Sequence, residues 1–232
     1  MAITLGNDNL DANTAIVGEA SSGTVRANIA ANQFLVLCIY IDDTTEGAFS
    51  SISDEDTNTF DLRANFTNGN QNFRIYTVTN PTVNADNTIT VNFTAATDFG
   101  LDVHTYNGVD KTTPFDHASS GSGTSATASV TFSLTSNDSL VVFAAGWSQN
   151  GITPSYGALQ NDRGSNSQGG GEKTAIVNSS EIVTATGSND QTCVVSKSGA
   201  FVAAAIEINA DAAAPAAEIV PRPTIINSSV MI

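Results

Sequence analysis

Apolar and polar residues alternate with a period of two along much of this chain. The pattern is cleanest at 87–95, where Ile89, Val91 and Phe93 are separated by threonine and asparagine. Such alternation is typical of a β-strand. It predicts about eleven strands. They lie near 34–41, 59–66, 72–79, 87–95 and 99–106, then near 127–134, 140–147, 172–178, 182–186, 190–196 and 200–208. Residues 1–24 are predicted to form a leading strand or arm.

The segment 99–116 separates two groups of strands. Its first part is predicted to bury Leu101, Val103 and Thr105 and to expose Asp102, His104 and Tyr106. A turn at Asn107-Gly108 and an extended stretch around Pro114 follow. This segment therefore predicts a strand, a turn and a crossover.

Four segments before this crossover resemble four segments after it, in the same order. The offset is roughly 100 residues at each match. The matched segments are 34–40 with 140–147, 72–78 with 173–177, 88–93 with 190–195, and 99–103 with 201–205. Two explanations stay open, namely a duplicated half, with halves 25–116 and 117–208, and convergent strand composition.

Composition agrees with an all-β fold. The chain has 232 residues, of which only 13% are charged, while threonine, asparagine, serine and glycine are abundant. This length suits one large sandwich or barrel. The segments 119–125 and 165–171, rich in serine and glycine, are predicted surface loops. Neither has the spacing of a phosphate-binding loop.

Charge restricts the partners. The chain carries 23 acidic and 8 basic residues, a net charge of −15, which disfavours nucleic acid and anionic membranes. No signal peptide is recognisable in the first eight residues, which predicts synthesis in the cytoplasm. The longest apolar run is far shorter than the roughly 20 residues of a membrane helix.

Residues 209–232 differ in composition from the rest. Prolines 215, 221 and 223 exclude a continuous helix, so we expect an extended C-terminal arm. Its exposed apolar residues need cover, which a sheet edge or a groove on a partner provides. The predicted partner-binding residues are Ile219, Val220, Ile225, Ile226, Val230, Met231 and Ile232. The alternative is a disordered tail.

Candidate chemistry is sparse. Asp54, Glu55 and Asp56 form the densest carboxylate cluster, which is either a calcium site or a solvated acidic loop. The two histidines, His104 and His117, have aspartates nearby without a diagnostic spacing. Cys38 and Cys193 are predicted to be buried thiols. No catalytic motif is present, so we expect no enzyme and no cofactor beyond this calcium.

Two aromatic residues suggest another function. Trp147 and Tyr156 could form a glycan platform of a carbohydrate-binding or adhesive module. Trp147 could equally be a strand-end residue packed over the core. Cell-surface glycan is therefore the alternative partner.

Three segments carry a resemblance to a family. The runs Tyr106–Pro114, Asn137–Val142 and Gly146-Trp147 resemble those of uncharacterised tailed-phage structural proteins, with related modules in bacterial surface proteins. The stretch 51–60 is similar too, although Thr57 stands where the family usually has glycine. The resemblance implies a jelly-roll β-sandwich in a virion, as a capsid decoration or a neck or tail adornment. Its partners would be other virion proteins or further copies of itself.

Overall fold

The computed structural model describes residues 3–6, 16–42, 47–149, 151–167, 174–184 and 186–211. These residues form thirteen strands and no α-helix. The strands are β1 (Thr4–Leu5), β2 (Ile16–Ile29), β3 (Phe34–Ile41), β4 (Phe49–Asp54), β5 (Asp61–Asn68), β6 (Gln71–Val78), β7 (Asn84–Asn107), β8 (Phe115–Leu134), β9 (Ser139–Trp147), β10 (Pro154–Tyr156), β11 (Asn161–Ser167), β12 (Ala175–Val183) and β13 (Gly187–Ile208). No described segment is a helix that could span a bilayer.

The strands form two sheets in which every pairing is antiparallel. The first sheet has the order β1-β7-β3-β6-β5, and β2 and β4 also pair with β7. The second sheet has the order β10-β13-β9-β12-β11, and β8 also pairs with β13. The predicted all-β, antiparallel sandwich is thus confirmed.

Three apolar cores hold the sheets together. One lies between the sheets and is called the central core; it includes Phe34, Val36, Phe73, Leu140, Val142 and Val202. Each sheet also curls around a core of its own. Alternate residues of β3 and β9 face different cores, so both strands are buried throughout. This two-sided burial explains why 34–41 and 140–147 are uninterrupted apolar runs.

The same arrangement corrects one prediction. Asp102, His104 and Tyr106 were expected on a solvent-facing side, but all three are buried. Tyr106 belongs to the central core. Their side of β7 faces the second sheet instead of water.

Strand lengths also differ from the prediction. The strands expected at 87–95 and 99–106 are one bent strand, β7, and those at 190–196 and 200–208 are β13. The predicted loop at 119–125 is wrong, because this segment belongs to β8 and pairs with Gly199–Ala205 of β13. Residues 165–167 end β11, and the rest of the second predicted loop lies outside the described residues.

The two sheets repeat one design. Each has a long bent strand at the same place in the order, and each long strand skips four residues in its pairing at the bend. The central strands also share their register. The matched pairs are Phe34↔Tyr106 with Leu140↔Ile208, and Ile41↔Phe99 with Trp147↔Phe201.

An arginine within a β-bulge occurs in both sheets. Arg63 lies at the register shift between β5 and β6, and Arg163 at the shift between β11 and β12. Arg63 Nε donates to Thr77 Oγ1 at 2.8 Å, and Arg163 Nε donates to Ser180 Oγ at 2.6 Å. Counted from the matched pairs, Thr77 and Ser180 are equivalent positions. The two sheets therefore share this structural detail at equivalent positions.

The two halves contact each other at equivalent positions. Ile41 and Trp147 are equivalent positions in the matched pairs, so the residues before them, Tyr40 and Gly146, also correspond. A Cβ on Gly146 would lie 2.1 Å from Tyr40 Cγ, which places the tyrosine ring directly on the glycine backbone. Contact between equivalent positions is what an approximate two-fold axis produces.

Candidate functional site

The described chain ends beside the crossover between the two sheets. We call residues 108–114 the joint. Val109 and Ala210 form an antiparallel bridge, and the Asp211 amide donates to the Gly108 carbonyl at 2.8 Å. The strand leaving the sandwich is therefore attached to the joint up to Asp211.

Side chains of the joint hold it in place. The Asp110 carboxylate accepts hydrogen bonds from the amides of residues 112–113, and these bonds lower its pKa. Lys111 Nζ donates to the Gln33 carbonyl at 2.5 Å and the Thr79 carbonyl at 2.7 Å. Partial burial lowers the pKa of Lys111. The joint is thereby tied to two loops of the first sheet.

The arm itself lies outside the described residues from 212 onwards. All the residues predicted to bind a partner belong to that segment. Their docking stays a prediction, and the structure adds only the point where the arm starts.

Close to this point lies a group of three residues, Asp116, His117 and Glu207, which we call the histidine–carboxylate group. His117 Nδ1 is 3.1 Å from Glu207 Oε2 and 3.9 Å from Asp116 Oδ2. One possible ligand atom from each residue lies within 4.8 Å of the others. The side chains of Asp116 and His117 are about a third exposed, at 32% and 31%, whereas that of Glu207 is fully buried.

A β-bulge brings this group together. Ala118 pairs with Ile206 and Phe115 with Ile208, so Asp116 and His117 both lie opposite Glu207. In a regular strand two successive side chains point to opposite sides, and a bulge re-aims one of them. The bulge therefore lets both side chains approach one carboxylate.

The Glu207 carboxylate is held from its other side by a turn. Ser139 Oγ donates to Oε1 at 2.9 Å, the Ser136 amide donates to Oε1 at 3.1 Å, and the Thr135 amide donates to Oε2 at 3.2 Å. A buried carboxylate needs such donors. Sequence reasoning missed Glu207, although it is the only charged residue in the apolar run 200–208.

The predicted calcium cluster does not converge. Asp54 accepts hydrogen bonds from Asn58 Nδ2 at 2.6 Å and Asn87 Nδ2 at 2.9 Å, and Asp56 accepts one from Asn84 at 2.8 Å. Glu55 is exposed. The only three-residue ligand group among the described residues is the histidine–carboxylate group. The geometry at 54–56 thus favours an acidic loop braced by amide side chains.

The predicted glycan platform is not present at Trp147. Its side chain is fully buried, its Nε1 donates to the Ser125 carbonyl at 3.2 Å, and its ring lies 5.8 Å from that of Phe201. The interpretation of Trp147 as an exposed platform is wrong, and its packing over the core is the observed state. Tyr156 is half-buried beside the core of the second sheet.

A second polar group is buried between the sheets. Asp102 Oδ2 lies 3.1 Å from His104 Nε2 and accepts a hydrogen bond from Asn178 Nδ2. Cys38 pairs with Asp102 across the strands, and burial, with a smaller effect of Asp102, raises its pKa. A protonated, buried thiol is a poor nucleophile. This group is suited to structure rather than catalysis.

Comparison with protein-family models, with curated proteins and with solved structures finds no match to this chain. The similarity to tailed-phage structural proteins accordingly remains a resemblance carried by the motifs themselves.

Proposed function

We propose that this protein is a non-enzymatic structural protein of a virion, either a capsid decoration or a neck or tail adornment. Residues 212–232 attach it to other virion proteins or to further copies of itself. The jelly-roll relationship implied by the sequence motifs is part of this proposal.

The observation that carries the proposal is the anchored exit of the chain. Ala210 and Asp211 are bonded to the joint, and Lys111 ties the joint to the first sheet. A tether attached to a rigid point transmits load to the whole sandwich. If the arm left from an unattached strand end, load on the arm would separate that strand from its sheet.

The composition of the arm supports attachment. It combines three prolines with seven large apolar residues, a mix that cannot form a continuous helix and gains free energy from cover by a partner. Backbone pairing to a sheet edge, with apolar side chains in pockets, is the mode that suits such a segment.

Two features favour a structural role over an enzymatic one. Buried side chains such as Cys38, Asp102 and His104 are used between the sheets, where substrate has no access. Two open depressions on the described surface are lined mostly by polar residues.

The test uses one truncated chain and one full-length double variant. Truncation belongs after Asp211, because Ala210 and Asp211 are part of the folded unit. We expect mass spectrometry of purified particles to find the protein at a fixed ratio to the major capsid protein. Added to particles that lack it, the full chain should sediment with them, and the chain ending at Asp211 should not.

A matched control keeps the length of the arm. The double variant Ile225→Asn with Ile226→Asn should bind as weakly as the truncated chain if apolar burial drives attachment. Sedimentation of the truncated chain at the level of the full chain would contradict attachment through the arm. Absence from purified particles would contradict the virion location.

A further inference from the structure

We propose that the histidine–carboxylate group binds a divalent transition metal ion, with Zn²⁺ as the best fit. Asp116, His117 and Glu207 would each supply one ligand atom. The ion would close the end of the second sheet beside the joint, where the arm starts.

The spacing of the ligand atoms suits such an ion. Zinc binds imidazole nitrogen and carboxylate oxygen at about 2.0–2.2 Å, so two tetrahedral ligand atoms lie about 3.4 Å apart. The distances of 3.1 Å and 3.9 Å around His117 Nδ1 bracket this value. All three ligand atoms lie within 4.8 Å of one another, so binding would require side-chain shifts that bring Asp116 closer to His117 and Glu207.

The ligand types select among metals. Calcium and magnesium prefer sets made of oxygen alone, whereas zinc and related transition-metal ions bind imidazole nitrogen as well as carboxylate oxygen. Three protein ligands leave a fourth position on a four-coordinate ion. A water molecule or a partner's side chain can occupy that position.

The repeat provides an independent argument. Ile208 corresponds to Tyr106, so Glu207 corresponds to Thr105 in the first sheet. The fold therefore accepts a neutral residue at this position. A fully buried carboxylate costs free energy unless cations or donors compensate it. Donors compensate Glu207 here, and its presence in one sheet alone shows that the shared topology does not require it.

The donors around Glu207 are those expected behind a metal ligand. Ser139 Oγ and the amides of residues 135–136 fix the carboxylate, and Oε2, which accepts from the Thr135 amide, is the oxygen that lies 3.1 Å from His117 Nδ1. Outer hydrogen bonds of this kind orient ligands, and their loss typically weakens metal binding by about 10–100-fold. This makes Ser139 a positioning residue for the site.

The test titrates metal-stripped full-length protein with zinc chloride by isothermal calorimetry. We expect one tight site per chain and a higher melting temperature with zinc. His117→Gln should weaken binding at least tenfold, and Ser139→Ala should weaken it about 10–100-fold. Asp86→Asn, which removes an exposed carboxylate elsewhere, should bind as the wild type does. Cobalt should give a visible absorption spectrum of low coordination number that His117→Gln lacks.

Two results would overturn the proposal. One is the absence of saturable one-to-one zinc binding to the wild type, which would mean that His117 and Glu207 form a hydrogen-bonded pair only. The other is unchanged affinity in both His117→Gln and Asp116→Asn, which would place any bound zinc elsewhere. Using two variants keeps the test valid if one of them fails to fold, as judged by circular dichroism.

Discussion

Gly146 lies where the two halves touch, and replacing it should have a large effect. In Gly146→Ala the new Cβ would lie 2.1 Å from Tyr40 Cγ. Non-bonded carbon atoms rest about 3.5 Å apart or more, so the overlap is about 1.4 Å. Tyr40 has little room to yield, because it is fully buried and its hydroxyl is bonded to Asp42 at 2.8 Å and Gln71 at 2.6 Å.

The expected cost follows from these contacts. Overpacking a well-filled core typically costs about 1–3 kcal/mol, and the rigid ring places this site at the upper end. Alanine has fewer conformations than glycine in the unfolded chain, which stabilises the folded state by about 0.4–1 kcal/mol. The net loss in the free energy of unfolding should thus be about 2–3 kcal/mol. For a domain of this size the melting temperature should fall by roughly 4–12 °C.

The assay is urea unfolding of Gly146→Ala beside a matched variant, Gly123→Ala. The Cβ of the latter would lie 3.4 Å from the nearest atom of Phe201, an ordinary contact, so Gly123→Ala should have no overpacking cost and should gain at most about 1 kcal/mol in the free energy of unfolding. In a Tyr40→Val background, the additional cost of Gly146→Ala should largely disappear. Equal stability of Gly146→Ala and the wild type would refute the close packing of the two halves.

Two further predictions concern stability. Thr57→Gly should raise the free energy of unfolding by about 0.5–1 kcal/mol, as measured by urea unfolding. Thr57 is a β-branched residue at φ +57°, and the relief of backbone strain exceeds the entropy that glycine adds to the unfolded chain. An unchanged unfolding midpoint would count against this strain. The pKa of Tyr106 lies well above its usual value near 10, mainly because the side chain is buried. At alkaline pH the folded state therefore retains a proton that the unfolded state loses. The stability that the protonated Tyr106 contributes is complete below pH 10 and is lost as the pH rises further. Tyr106→Phe should therefore reduce the alkaline loss of stability by about 1.4 kcal/mol per pH unit. Parallel curves of unfolding free energy against pH for the two proteins would contradict this prediction.

The sequence predicted strand positions well where side chains alone determine them. The alternation around Ile89 and the apolar runs at 34–41 and 140–147 reflect burial, which is a property of each strand. The segment 119–125 has no apolar pattern, and its strand character comes from pairing with the alanine-rich end of β13. Gly121 also fits there because a Cβ would lie 2.0 Å from the Ser129 carbonyl oxygen. Such pairings depend on distant residues and leave no local signal.

The candidate metal site was not predictable for a related reason. His117 and Glu207 are far apart in the sequence, and they meet only because a bulge shifts the register between β8 and β13. The prediction that His104 is exposed to solvent was wrong. Alternation of apolar and polar residues identifies the two faces of a strand, but it does not show what covers each face. A second sheet covers the polar face of β7, so its polar residues became a buried cluster.

The repeat offers a way to separate folding from function in this chain. Features that the fold requires should recur in both sheets, as do the bent long strand, the apolar central strand and the bulged Arg63 and Arg163. Glu207 does not recur, since Thr105 occupies the equivalent position. Glu207 is a buried charge in one copy of a repeated fold, fixed by three donors and facing a histidine, and the shared topology does not require it. Under the proposed metal site Glu207 is retained for the ion it binds, and its place beside the joint would link metal binding to the start of the arm.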